Sequence, residues 1–183
     1  MAQKSKTTDK PAGVNRRVVL YGNRALRTKS RLIEALTPEL VKLLEDLKTT
    51  MLTQDGLGLA ANQIGETLAA FAINPRSADV DSEAYCIINP QVVATEGLIE
   101  AEEGCLSLPG LYEILPRPEL VRVSGLDEEL RPVTVEATRL MGRALLHEVD
   151  HLNGILFIDH LSDTRRRMLG TKLKELEEKE RCA

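Results

Sequence analysis

Residues 144–154 read ALLHEVDHLNG, which places His147, Glu148 and His151 inside an apolar, helix-compatible run. Side chains at i and i+4 lie on one helical face, so both imidazoles can reach a single metal ion. Glu148 follows the first histidine directly, where its carboxylate can reach a water on that metal. Two neutral nitrogen ligands and a base beside an activated water are the parts of metal-assisted hydrolysis.

A catalytic metal site commonly takes three protein ligands and keeps one position open. The spacing alone leaves the third ligand open between Cys105 and a downstream carboxylate such as Glu175. Cys105 sits between Gly104, which permits close backbone approach, and the turn signal Pro109-Gly110. A carboxylate ligand would instead imply a zinc endopeptidase that cleaves internal peptide bonds. Cys86, within the apolar run 85–88, reads as a small buried hydrophobe, and Cys182, in the charged tail, as incidental.

Three helices must position these groups. Thr37 is an N-cap candidate with Pro38 at the first helical position. Leu40, Val41, Leu44, Leu47 and Met51 then form an apolar stripe, and Gly56 ends it. The metal-binding helix spans roughly Ala137 to Asn153, with Leu140, Met141, Ala144, Leu145 and Leu152 as apolar positions and Gly154 as a left-handed cap. A third helix starts at Ser162 or Asp163, with Leu169, Leu173 and Leu176 as its stripe. Short strands are expected at 68–73, 85–93, 98–102, 120–125 and 132–135, bounded by Gly, Pro, Asn and Asp. Strands clustered between helices, without regular alternation, predict an α+β fold. Its short mixed or antiparallel strands pack around a central metal-binding helix, with one helix in the N-terminal half and one at the C-terminus.

The chain has 183 residues, enough for one domain with a substantial core. Hydrophobic residues are 43% and charged residues 28%, as in globular proteins, and with aromatics at 3% the core must be aliphatic. A net charge of -4 argues against nucleic acid as the direct substrate, and Arg165, Arg166 and Arg167 read as a solvated helix face. No apolar run of membrane-spanning length occurs, so no membrane partner is expected. Residues 1–13 lack an apolar signal core and read as a disordered lead-in to a single catalytic domain over 14–183. Three scattered cysteines form no disulfide framework and suit a reducing, cytoplasmic setting.

Two further blocks accompany the histidine motif. Residues 56–65 read GLGLAANQIG, and residues 102–110 read EEGCLSLPG. In order, G-x-G-x-A-A-x-Q, E-G-C-x-S and H-E-x-x-H resemble the signature set of the peptide deformylases, from about Val14 to Ser162. The resemblance implies a bacterial-type metallo-amidase of protein biosynthesis. Such an enzyme removes the N-formyl group from N-formylmethionyl nascent peptides and releases formate. It implies Cys105, His147 and His151 as metal ligands and Glu148 as the general base. Gln63 and the Leu106 backbone N–H would donate to the oxyanion. Gly58 would admit the peptide backbone, Glu103 would help orient the site, and Leu57, Leu140 and Ala144 would lie near the methionine pocket, with Arg143 at its rim. Thiolate ligation admits Fe²⁺, Zn²⁺, Ni²⁺ or Co²⁺. By resemblance Fe²⁺ is the metal expected in the cell, and the C-terminal helix can dock on the ribosome near its exit tunnel. A non-catalytic metal-binding or ribosome-associated module would need a damaged motif, and none of these groups is missing.

Two departures stand out. The family often carries an acidic residue and a proline after Tyr-Gly, where this chain has Asn23-Arg24 after Tyr21-Gly22. Tyr112 occupies a position where many relatives carry other polar residues, which leaves preference beyond the first substrate residue open.

Overall fold

The Thr37 side chain accepts a hydrogen bond from the Leu40 N–H at 3.2 Å and starts helix α1 (Pro38–Thr53), as the Thr-Pro pair predicts. The structure, a computed structural model, describes residues 13–183, so of the lead-in expected over 1–13 all but Gly13 lies outside the described residues. Gly13 itself packs on the Glu45–Asp46 backbone, where a Cβ would have no room. On α1 the buried stripe uses Leu40, Leu43, Leu44, Leu47 and Met51; Val41, expected in it, is exposed. Leu47 and Met51 are fully buried, each contributing about 1.5–3 kcal/mol by removal from water.

Seven strands follow. They are β1 (Gly58–Ala60), β2 (Ala70–Ile73), β3 (Tyr85–Glu96), β4 (Ile99–Gly104), β5 (Tyr112–Arg117), β6 (Leu120–Leu126) and β7 (Pro132–Thr138). β1, β2, β3, β6 and β7 form an antiparallel sheet in that order, and β4 and β5 form a separate antiparallel hairpin. Then come α2 (Arg139–Leu152), α3 (Asp163–Met168) and α4 (Gly170–Arg181). The architecture is the expected α+β arrangement, and every ladder between the named strands is antiparallel. β1 and β5 were not predicted. The expected third helix is broken at Leu169 into α3 and α4.

Two apolar layers meet the sheet. One joins α1 to β1 and β2 through residues such as Leu47, Met51, Leu59 and Ala70. The other packs α2 residues Ala144, Leu145, Val149 and Leu152 on Phe71, Ile87, Val121 and Val123. Leu140, expected among the apolar positions of α2, is instead half exposed at 51%. A third cluster joins Val19, Leu26, Leu108, Leu111, Leu115 and Phe157 to Leu173 and Leu176 of α4.

The N-terminal segment stitches these parts together. Val19 N–H donates to the Gln63 carbonyl at 2.8 Å, and Tyr21 N–H to the Ser107 carbonyl at 2.9 Å. One extended stretch therefore holds both the glycine-rich block and the cysteine turn. The Asn62 side chain donates to the His151 carbonyl and ties the glycine-rich block to α2. No helix among the described residues is long and apolar enough to cross a membrane.

Candidate metal centre and active-site cleft

The three sequence blocks converge at one place. β4 ends at Gly104, and Cys105 opens the turn that leads to β5. The turn is closed by Leu108 N–H on the Cys105 carbonyl at 3.0 Å. His147 and His151 project from the same face of α2, four residues apart. Cys105 Sγ lies 3.2 Å from His151 Nε2, which lies 3.2 Å from His147 Nε2. The donor atoms of all three residues fall within 4.8 Å of one another.

Glu103 fixes the orientation of His147. Its Oε1 accepts from His147 Nδ1 at 2.7 Å, which leaves Nε2 facing the other two donors. Two arginines hold that carboxylate in turn. Arg117 reaches both Glu103 oxygens, at 2.8 and 3.1 Å, and Arg143 Nη1 donates to Oε2 at 3.0 Å. Asp150 accepts from Arg117 at 2.7 Å and from His160 Nε2 at 2.7 Å. Burial would raise the Glu103 carboxyl, but His147 and Arg117 hold it well below the usual carboxylate range. Arg143 is therefore not at the pocket rim: it is 4% exposed, and it also donates to the Leu115 and Ile99 carbonyls. Sequence reasoning missed Arg117 altogether and held Ser107 only as part of the E-G-C-x-S block, with no role of its own.

Burial disfavours charge on His147, but contacts with Cys105 and Glu103 outweigh it and raise its pKa well above the ordinary histidine value. His151, also desolvated and beside His147, is held well below it. Burial pushes the Glu148 carboxyl up to about 7. Its Oε2 is buried with no hydrogen-bond partner among the described residues. Two imidazole nitrogens and one thiol converging beside a free carboxylate oxygen fit a divalent ion with an open position. Glu175 has no part in this. It sits on α4, half exposed, 3.7 Å from Lys172.

Gln63 is 1% exposed at the edge of this cluster. Ala60 N–H donates to its Oε1 at 2.8 Å, so its NH₂ group points at Cys105 Sγ (3.5 Å) and Ser107 Oγ (3.4 Å). The cysteine sulfur also accepts from Ser107 N–H at 3.4 Å. A cleft of about 450 Å³ opens over the cluster. Its lining brings together Leu57, Gly58, Gln63, Glu103, Cys105, Leu106, Leu140, Ala144, His147 and Glu148, while His151 lies buried behind it. Cys86 is buried against the Leu44 carbonyl and Cys182 is exposed, both apart from the cluster.

An α+β fold with a helix-borne His-Glu-x-x-His, a cysteine from a neighbouring turn and a buried carboxylate defines a metallo-hydrolase. A family model described as polypeptide deformylase matches residues 15–167. A peptide deformylase of Helicobacter pylori is 40% identical over 162 residues, covering 87% of this chain and 93% of that one. A second, from Thermodesulfovibrio yellowstonii, is 39% identical over 154 residues, covering 84% and 93%. Among solved structures, the Legionella pneumophila peptide deformylase superposes with a TM-score of 0.83 at 36% identity, covering 90% of this chain and 96% of that one. The chain belongs to the peptide deformylase family, hydrolases that remove the N-formyl group from nascent peptides.

Proposed function

We propose that Cys105, His147 and His151 hold one divalent metal ion and that Glu148 is the base for hydrolysis of N-formylmethionyl peptides. The observation that carries this reading is the convergence of the three donor atoms beside a buried, unpartnered Glu148 oxygen. The ion, when bound, supplies Lewis acidity and makes water acidic enough to be deprotonated near neutral pH. Fe²⁺ is the proposed resident ion; the thiolate–imidazole set also accepts Zn²⁺, Ni²⁺ and Co²⁺.

This chain's residues then divide the work. Glu148 takes a proton from the attacking water and delivers it to the departing amine. Gln63, its amide fixed by Ala60, donates to the developing oxyanion together with the Leu106 N–H. Leu57, Leu140 and Ala144 offer an aliphatic wall to the unbranched methionine side chain. Gly58 admits the Glu148 carboxylate as well as peptide backbone. Glu103, Arg117 and Arg143 hold His147 in register. A reducing, cytoplasmic compartment suits the free Cys105 thiol. We also propose newly made chains at the ribosome as the substrate pool, and the solvent-facing side of α4 as the place where docking would occur.

The test is release of formate from formyl-Met-Ala-Ser by anaerobically purified protein, with the unformylated peptide as control. Glu148→Gln should keep its metal and lose on the order of 10²–10⁴ in rate. Cleavage of internal bonds in an unformylated peptide would support the endopeptidase alternative instead.

A further inference from the structure

His160 does not line the cleft, yet it ends a hydrogen-bonded chain that begins at His147. From His147 Nδ1 the chain passes to Glu103 at 2.7 Å and on to Arg117 at 2.8 and 3.1 Å. It continues from Arg117 Nη1 to Asp150 Oδ2 and from there to His160 Nε2, each step 2.7 Å. Side-chain exposure rises along it, from 4% at Glu103 and 6% at Arg117 to 18% at Asp150 and 37% at His160. The clamp on His147 is dry at one end and wet at the other, and His160 is the residue at the wet end.

The contact geometry gives His160 its part. Its Nε2 stands 2.7 Å from Asp150 Oδ2 and 3.2 Å from Arg117 Nη1. An arginine N–H only donates, and the carboxylate contact is the shorter, so Nε2–H donates to Asp150. Two donors on one oxygen fix the rotamer of Asp150. Asp150 in turn fixes the Nη1 corner of Arg117, whose Nε and Nη2 grip Glu103. A guanidinium is a rigid plane, so holding one corner keeps the opposite edge seated.

The backbone that carries His160 is itself held. His160 closes a single 3₁₀ turn, Phe157–His160. Leu156 N–H donates to Asp159 Oδ2 at 2.8 Å, and Asp159 pairs with Arg27. Phe157, the first residue of the turn, stacks on His147. One four-residue turn therefore reaches His147 twice, by a ring at one end and through the arginine clamp at the other.

We propose that His160 is a positioning residue for the metal centre, whose Nε2–H acts through Asp150 and Arg117 to keep Glu103 seated on His147. This rests on the Cys105-His147-His151 reading and extends it to the protein surface. Losing an outer partner of a metal-binding histidine costs about 10- to 100-fold in metal affinity or activity. His160 acts through intermediaries, so a smaller effect of about three- to tenfold is expected.

The experiment compares wild type, His160→Phe and His160→Gln in the full chain. Phenylalanine keeps a flat ring and removes the donor, while glutamine returns an N–H to the place of Nε2. Loss of Zn²⁺ to excess chelator should be about three- to tenfold faster in His160→Phe and within about twofold of wild type in His160→Gln. In His160→Phe, kcat for formyl-Met-Ala-Ser should fall while KM holds, because His160 does not line the cleft. NMR reads the clamp directly. Arg117 Nε–H, which donates to Glu103 at 3.1 Å, should exchange with solvent faster in His160→Phe but not in His160→Gln. In an Asp150→Asn background, His160→Phe should add nothing further to either rate. Faster Zn²⁺ loss that glutamine does not correct would assign the effect to ring packing and overturn the proposal. Unchanged Arg117 Nε–H exchange in His160→Phe, or effects additive with Asp150→Asn, would also overturn it. A wild type that holds no Zn²⁺ would fail the metal-site reading instead. Arg117 exchange in the metal-free protein then decides the role of His160 by the same comparison.

Discussion

Gly58 faces Glu148 so closely that a Cβ on the glycine would stand 2.8 Å from the carboxylate carbon of the glutamate. The second glycine of the G-x-G-x-A-A-x-Q block thus makes room for the Glu148 carboxylate, two motifs further along the chain. Gly58→Ala should push the Glu148 carboxylate off its position without touching a metal ligand. Misplacing a catalytic group by about 1 Å costs on the order of 10²-fold, so kcat should fall by roughly that factor with metal content unchanged. Wild-type kcat in this variant, with stoichiometric metal, would show that Glu148 tolerates displacement.

Cys105 separates the two enzyme readings. Its sulfur points at both histidines, while Glu175 lies on the surface of α4. Cys105→Ser replaces a soft thiolate with a weakly acidic hydroxyl. Metal affinity and deformylation should both drop sharply, and a Co²⁺-loaded wild type should show a sulfur-to-metal charge-transfer band that the variant lacks. Glu175→Gln should leave metal content as in wild type. A serine variant that binds one metal at wild-type affinity would refute the Cys-His-His site.

Much of the site is legible in the chain because its parts are local. The i, i+4 histidines, the glutamate between them and the Gly154 cap are fixed by helical spacing alone, and α2 forms where that spacing puts it. Cys105 could not be chosen over Glu175 by spacing, since only the fold brings the β4–β5 turn to α2. The arginine clamp was invisible for a related reason. Arg117 and Arg143 are buried only because Glu103, Asp150 and backbone carbonyls meet them, and an arginine's sequence context does not announce its partners. β1 is three residues inside a glycine-rich block, and β5 contains Pro116, so neither carries a strand pattern. The α3–α4 break is not legible either, because the charged residues on either side read as one helix.

Asp46 gives a pH-dependent contribution to stability away from the site. It is buried on α1 and accepts from the Val14 N–H at 2.7 Å, with Lys42 and Arg16 within 3.3 Å of its oxygens. Burial would raise its pKa, but the Val14 N–H, Lys42 and Arg16 together lower it below the ordinary aspartate value. A depressed carboxylate stabilises the fold above its unfolded pKa near 3.8 and loses that contribution as pH falls through the folded value. Asp46→Asn should cost about 1 kcal/mol at neutral pH and flatten the acid limb of the stability curve. The check is urea unfolding of both proteins between pH 3 and 7, at roughly half-unit steps fine enough to resolve a shifted carboxylate. Parallel curves would remove Asp46 from the account of acid sensitivity.

If the C-terminal helix served only to dock on the ribosome, removing residues 172–183 would spare small-peptide turnover. The contacts of α4 argue otherwise. Leu173 and Leu176 are buried in the cluster that holds Leu108 and Leu111 of the cysteine turn, as well as Phe157. Phe157 in turn stacks on His147 with ring centroids 6.4 Å apart. Glu180 accepts from the Leu20 N–H at 2.8 Å and from the Asn23 side chain at 2.6 Å, and it pairs with Arg17. That anchors the segment whose Tyr21 N–H supports the turn at Ser107. Deleting residues 172–183 removes two buried leucines, each worth about 2–5 kcal/mol when truncated to alanine in a core, and it frees the N-terminal segment. That loss is comparable to the whole stability of a typical domain. The truncated protein should therefore melt well below the full chain and lose deformylation in step with folding. A double variant, Leu173→Ala with Leu176→Ala, should reproduce most of the effect at full length. A truncated protein with unchanged Tm and full turnover of formyl-Met-Ala-Ser would restore the view of α4 as a separable docking element.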